Sequence, residues 1–457
     1  MWWLVASALA QDTWILENAR IVDALGERTG TIVLEGDRIA SVGETPAEPV
    51  PGARVLDLQG ATVIPGLVDA HVHLSLTPSG AFLNLSEEED HALWRRHLAA
   101  YVAAGVTTVL DTGSVLADAE TLVEMAAEGP APDIHMLGPL VSPPGGYVNV
   151  VLPQFEPAAT AADVARQIDG FSHLDPFGVK VTLERGMLQK IWPIYSDEVR
   201  EALVAESARR PIPLYAHAIS PEEYGLGLEM DVAGFVHPPQ KLTKKLLEAL
   251  KEADKPIVTT LSVFDSLLIA PEPERLDDPT LVLLVPEIER DAAADPEIIH
   301  RYSIAVASNV MPKMPGFVKN FAAGMFQKSG PLQGRLDKIA EVVRTLDEEG
   351  VMVVMGSDSG NWPVFPFEFH GFTSIREVEV LGEAGISNAR ALEISTLNGA
   401  KFLGMEDEIG TIEAGKRADL IVLDGDPLQD LRALRTPQWV FRAGEGRTPE
   451  DWMVPGG

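Results

Sequence analysis

The chain has 457 residues, 46% of them hydrophobic, with 68 acidic against 36 basic side chains and a formal charge of -32. That charge repels nucleic acid and anionic membranes, so the expected partner is a small-molecule substrate and not a nucleic acid. Cysteine is absent, which excludes disulfides and thiolate ligands and leaves His, Asp, Glu or a modified side chain to hold any metal.

The opening MWWLVASALA, ahead of Gln11, ends in small residues as an export signal does, but has no basic leader. Residues 1–11 are therefore expected to be a signal-peptide remnant or a disordered end. A signal places the protein in the periplasm or outside the cell, and its absence places it in the cytoplasm. No later apolar run is long enough to span a bilayer, so no integral membrane association is expected.

From Trp14 to Ile64 short alternating strands are separated by tight turns, and similar material returns only at ADLIVLDG (418–425) and QWVF (438–441). Residues 12–64 and 406–457 are thus expected to form one small β-sandwich domain from both chain termini. Between them, over 65–405, apolar strands alternate with helical patterns. The strand candidates are PGLVDA before His71, then GVTTVLD (105–111), IHML (134–137), GVKVTL (178–183), PLYAH (213–217), VAGFVH (232–237), PIVTTL (256–261) and VMVVMGSD (351–358). Eight such strands predict an α/β fold, a (β/α)8 TIM-like barrel. A helix is expected from near Ser86, whose SEEE opening supplies a cap, and another from Asp197 to Arg209. Two long connections, 139–157 and 265–349, are expected on the catalytic face, where substrate specificity is written.

His71-Val72-His73 closes the first barrel strand, and a period of two puts both imidazoles on one side of the backbone. Lys180 stands inside an apolar strand, where an unpaired ammonium is costly. It either snorkels to solvent, pairs with Glu184, or carries its nitrogen as a carbamate. His217 and His237 each close an apolar strand, so four of the ten histidines fall at strand ends. Asp358, in GSDSG, is either a turn cap or a carboxylate able to take a proton from water and return it to a leaving group.

Together these residues resemble the metal-dependent amidohydrolase superfamily, especially its imidazolonepropionase-like and metal-dependent prolidase-like branch. The resemblance rests on PGLVDAHVH, GVKV, YAHA, GFVHP, MGSDSG and the tail LGMEDEIGTIEAGKRADLIVLDGDPL, and spans Trp14 to about Leu428. It implies a binuclear centre of two divalent ions, zinc first among them, with N-carboxylated Lys180 as a bridging ligand. One ion is then held by His71, His73, Lys180 and Asp358, and the other by Lys180, His217 and His237. A bridging hydroxide attacks the substrate carbonyl, and Asp358 shuttles the proton. Val236 stands where many relatives have an acidic residue, and Pro238-Pro239 follows, which bears on the orientation of His237. The resemblance also implies a homo-oligomer.

Substrate contacts are expected from Tyr147, which is also a candidate to assist the carbonyl, and from Arg185, a candidate carboxylate binder. His300 and Arg301 on the long seventh connection are further candidates. Trp362, Phe365 and His370 are candidates for an apolar wall. The expected reaction is hydrolysis of an amide bond in an N-acyl amino acid or dipeptide. Ester, lactone, carbamate or cyclic-amide hydrolysis is the alternative, and a noncatalytic metal-binding scaffold lies beyond it.

Overall fold

A computed structural model describes residues 13–43, 50–77, 83–186, 192–311, 313–325, 327–362 and 367–454. The expected signal remnant at 1–11 and Phe365 lie outside the described residues.

Alternation builds the terminal sheet. Its first strands are β1 (Thr13–Asp23), β2 (Gly26–Glu35), β3 (Arg38–Gly43), β4 (Arg54–Asp57) and β5 (Thr62–Pro65). In β1 the register shifts between Leu16 and Ala19, where Asn18 takes a φ of 57°. The extra residue resets the parity, so Leu16, Ala19 and Ile21 all enter one core with Ile32, Leu34 and Val63.

The barrel strands are β6 (Leu67–Val72), β7 (Val106–Asp111), β8 (Asp133–Val141), β9 (Gly178–Thr182), β10 (Leu214–His217), β11 (Gly234–Phe235), β12 (Ile257–Val258) and β13 (Val353–Val354). They pair in chain order, and each pair is parallel. The ring is closed between its ends by Ala70 N–H to Met355 O (2.9 Å), Asp358 N–H to His71 O (2.8 Å) and His73 N–H to Ser359 O (2.8 Å). Val68, Ala70, Leu110, Tyr215, Val236 and Val354 fill the interior. This is the expected TIM-like barrel.

The chain then returns to the first sheet as β14 (Leu420–Leu423), β15 (Pro437–Arg442) and β16 (Glu445–Arg447). The expected terminal domain is realised as one continuous mixed sheet, in the order β16-β15-β14-β5-β1-β2-β3 with β4 on β1. Gly66 connects sheet to barrel. A Cβ there would strike the Thr107 side chain, so the close approach requires glycine.

Helix Glu87–Ala103 begins at Ser86 with a full capping box to Glu89, and helix Asp197–Arg209 is capped by Ser196. The connection at 139–157 contains a short helix, Tyr147–Val151. The one at 265–349 is largely helical, including Pro296–Val310, Gly316–Met325 and Ser329–Glu348. Leu332, Leu336, Ile339, Val343 and Leu346 make the buried stripe of the last of these.

Candidate metal centre

The end of β6 is irregular, with its register on β7 shifting between Asp69 and Val72. This breaks strict alternation. Val68 and Ala70 line the barrel interior, and His71 and His73 also turn inward, toward Asp358. Asp69 points the other way. It accepts from Ser357 Oγ (2.5 Å), Ser374 Oγ (2.7 Å) and the backbone N–H of Ser357 (3.0 Å) and His71 (3.2 Å). Asp69 thereby ties the first strand to the turn that carries Asp358.

Asp358 lies in the left-handed region at φ 57°. Its Oδ1 is 3.2 Å from His71 Nε2 and 3.1 Å from His73 Nε2. Burial pushes this carboxyl up, but His71 and His73 outweigh it and hold it well below the ordinary carboxylate range. His71 Nδ1 is 2.7 Å from the Val236 carbonyl, so it carries the proton and leaves the Nε2 lone pair facing Asp358. Burial, then the Lys180 charge, lowers His71 to about 3 against the opposing charge of Asp358.

Lys180 is 3% exposed, between Val179 and Val181 on β9. It does not snorkel. Its Nζ donates to Thr112 Oγ1 (3.1 Å) and lies 3.3 Å from His71 Nε2. Glu184 is not its partner, because that carboxylate sits 2.7 Å from His217 Nε2. Burial lowers the Lys180 amine to about 8, against the opposing charges of Asp358 and Asp111.

With its Nε2 on Glu184, His217 has Nδ1 left to offer a metal. His237 is the reverse case, with Nδ1 3.0 Å from Thr260 Oγ1 and Nε2 left over. Tyr224 donates its hydroxyl to the His237 carbonyl at 2.5 Å. Thr260 and Tyr224 thus orient His237 in the absence of an acidic residue at Val236. The His217 and His237 rings lie 4.4 Å apart, and His237 lies 4.6 Å from His71.

Donor atoms of His71, His73 and Asp358 all fall within 4.8 Å of one another. Two imidazoles and a carboxylate at such spacing, with one tautomer fixed by a carbonyl, suit a divalent cation. The pattern of the Amidohydrolase family matches residues 62–448. The chain belongs to the amidohydrolase family.

Family membership makes it a metal-dependent enzyme of C–N hydrolysis. This amidohydrolase is similar to a 5'-deoxyadenosine deaminase of Methanobrevibacter smithii, 24% identical over 441 residues, which are 91% of this chain and 85% of the relative. Its fold is similar to that of a crystallised Xaa-Pro dipeptidase with methionine in its active site (TM-score 0.71, 21% identity, 95% of this chain and 99% of the other). A putative prolidase from Bifidobacterium longum is similar too (TM-score 0.67, 24% identity, 96% and 95%).

The residues expected at the substrate divide. Tyr147 sits over the centre, its ring 5.2 Å from His217 and 4.9 Å from Trp192. Desolvation, then the charges of Glu184, Asp358 and Glu368, pushes its phenol well above the usual range, so it stays a donor. Arg185 lies at the rim, 3.6 Å from Glu222. His300 and Arg301 do not reach inward: both are exposed on helix Pro296–Val310, whose inward side presents Ile298, Tyr302 and Ser303. His370 is not a wall residue. It stacks on His97 at 3.9 Å and its Nδ1 lies 3.0 Å from the Tyr101 hydroxyl, behind the turn at Gly360. Trp362 is wholly buried against Phe369, with centroids 5.6 Å apart.

Sequence reasoning missed the support given by Glu184 and Thr260, because each acts through the ring of a histidine distant in the chain.

Proposed function

We propose that this amidohydrolase cleaves an amide bond in a small substrate, a dipeptide or an N-acyl amino acid, at a two-metal centre. The observation that carries the reading is Lys180, buried in the barrel with Nζ 3.3 Å from His71 Nε2, while the His217–His237 pair adjoins the same His71. His71, His73, Lys180 and Asp358 would hold one ion, most simply zinc, and Lys180, His217 and His237 a second. N-carboxylated Lys180 would be the bridging ligand. Its lowered amine pKa supports this, because only the neutral amine adds carbon dioxide. Bound there, the ions supply Lewis-acid polarisation of the scissile carbonyl.

The chain's own groups do the rest. Asp358 takes a proton from the attacking water and returns it to the leaving nitrogen. Tyr147 donates to the oxygen that gains charge. The chain is similar in sequence to a deaminase and in fold to a dipeptidase, so the bond broken is the quantity to measure. Metal-loaded protein is assayed against dipeptides, N-acyl amino acids, lactones, esters, carbamates, cyclic amides and 5'-deoxyadenosine, with product masses recorded. Amide products support the reading. Ester-class products alone, or ammonia release alone, overturn it. The expected homo-oligomer belongs to the same reading and is measured by light scattering.

A further inference from the structure

Helix Gly316–Met325, in the connection between β12 and β13, is built inside out. Its inner side, packed on helix Pro296–Val310, offers only small or medium residues: Ala323 is buried, and Val318 and Ala322 are half-buried. Its large apolar side chains point to water. Phe317 is 75% exposed and Phe321 is 74% exposed, more than any other large apolar side chain among the described residues. Met314, just before the helix, and Met325, at its end, are exposed as well. Positions 317, 321 and 325 recur every four residues, so they form one stripe along one face. Such a stripe, displayed to solvent, marks a surface that meets something apolar.

Charge separates the same segment from the rest of the chain. Residues 298–336 contain no Asp or Glu, although an even spread of the 68 acidic residues would put about six there. The segment carries Arg301, Lys313, Lys319, Lys328 and Arg335. Lys313 and Lys328 are exposed at the two ends of the apolar stripe, and Lys319 is half-buried on the helix between them. None of the three lysines has a carboxylate partner among the described residues. Their charge is free to meet an anion.

We propose that helix Gly316–Met325 and its flanking turns dock on an anionic lipid surface. Phe317 and Phe321 enter the boundary between headgroups and acyl chains, and the lysines meet lipid phosphates. The helix has 10 residues, far too few to cross a bilayer, so the docking is peripheral. The formal charge of -32 opposes approach from afar, but salt screens charges beyond about 8–10 Å. The segment in contact decides. A second copy of the chain fits the face less well. A two-fold contact would set the lysines of one copy against the same lysines of the other. The four apolar side chains also offer only on the order of 400 Å², about half of what each side of a stable interface buries. This docking is independent of which bond the metal centre cleaves.

The test mixes metal-loaded protein with vesicles of phosphatidylglycerol and phosphatidylcholine in equal parts, or of phosphatidylcholine alone, and reads the bound fraction by co-sedimentation. The wild type should partition at least about tenfold more strongly onto the mixed vesicles, and added salt should erase the difference. The double variant Phe317→Ser, Phe321→Ser should lose at least about tenfold in partition onto the mixed vesicles. The triple variant Lys313→Gln, Lys319→Gln, Lys328→Gln should bind them no better than phosphatidylcholine alone. Circular dichroism and thermal midpoints matching the wild type confirm that each variant is folded. Equal wild-type binding to both vesicle types, or binding unchanged in either folded variant, overturns the proposal. So does a wild-type oligomer, seen by light scattering, that the double phenylalanine variant dissociates, because a second copy then covers the face.

Discussion

Asp358 and Lys180 occupy similar depths in the barrel mouth yet differ in what their removal should reveal. Asp358→Asn keeps the shape and one oxygen but removes the proton acceptor, so turnover should fall roughly a hundred- to ten-thousand-fold with metal content largely kept. Kinetics and metal analysis on the same sample check this, and unchanged catalytic efficiency would rule out the proton role. Lys180→Ala should instead lose metal and activity together, with partial return on adding a short carboxylic acid. Full loading of two ions without such an acid would count against the carbamate. The six candidate ligands were legible in the sequence because each ends or interrupts an apolar strand, where a polar group needs a reason. The supports Glu184 and Thr260 were not, because their meaning lies in which distant histidine each one faces.

At the level of elements, helix Glu87–Ala103 supports the turn after β13 through a buried pair. His97 Nε2 is 2.8 Å from Glu289 Oε1, and His97 stacks on His370. Burial lowers His97 from 6.5 to about 3 and raises Glu289 from 4.5 to about 7. Between about pH 4.5 and 6.5 the folded pair is neutral. The unfolded chain there has lost the Glu289 proton and gained one on His97, so the two contributions to pH dependence cancel. Glu289→Gln leaves only the histidine, and stability should rise with pH from about 3 to 6.5. His97→Gln leaves only the acid, and stability should fall as pH rises from 4.5 to about 7. Thermal midpoints across that range, relative to the wild type, measure both slopes, and parallel curves for all three proteins would refute the neutral pair.

The eight barrel strands were found in the right order, but their lengths were not. VAGFVH and PIVTTL each give a strand of only two residues, at Gly234–Phe235 and Ile257–Val258. An apolar run reports burial, whereas strand length depends on an unbroken ladder, and at the mouth the chain bends to aim side chains.

For the whole molecule, the junction between terminal sheet and barrel depends on Arg417. It is 2.6 Å from Asp419 and 2.8 Å from Thr108 Oγ1, and also pairs with Asp133. Arg417→Ala would leave Asp419, whose side chain is 3% exposed, as a buried carboxylate without that cation. A loss of about 3 kcal/mol is expected, read as a lower thermal midpoint, and an unchanged midpoint would show the junction to be held by apolar packing alone. That the termini meet in one domain was legible from their shared strand character. Their union as a single sheet was not, because alternation names a buried face but not the neighbouring strand.

The hydrogen bonds that shut the barrel pass through the candidate ligands themselves, from Asp358 N–H to the His71 carbonyl and from His73 N–H to Ser359. During synthesis, then, the two halves of this constellation leave the ribosome at opposite ends of a long interval. Until the eighth strand has been made, a nascent chain shows only the four histidines and Lys180, a loose trap without the Asp358 carboxylate. Choice of metal is thereby postponed to the finished fold, whose fixed geometry can discriminate among ions where a flexible fragment would take whichever binds nitrogen most tightly.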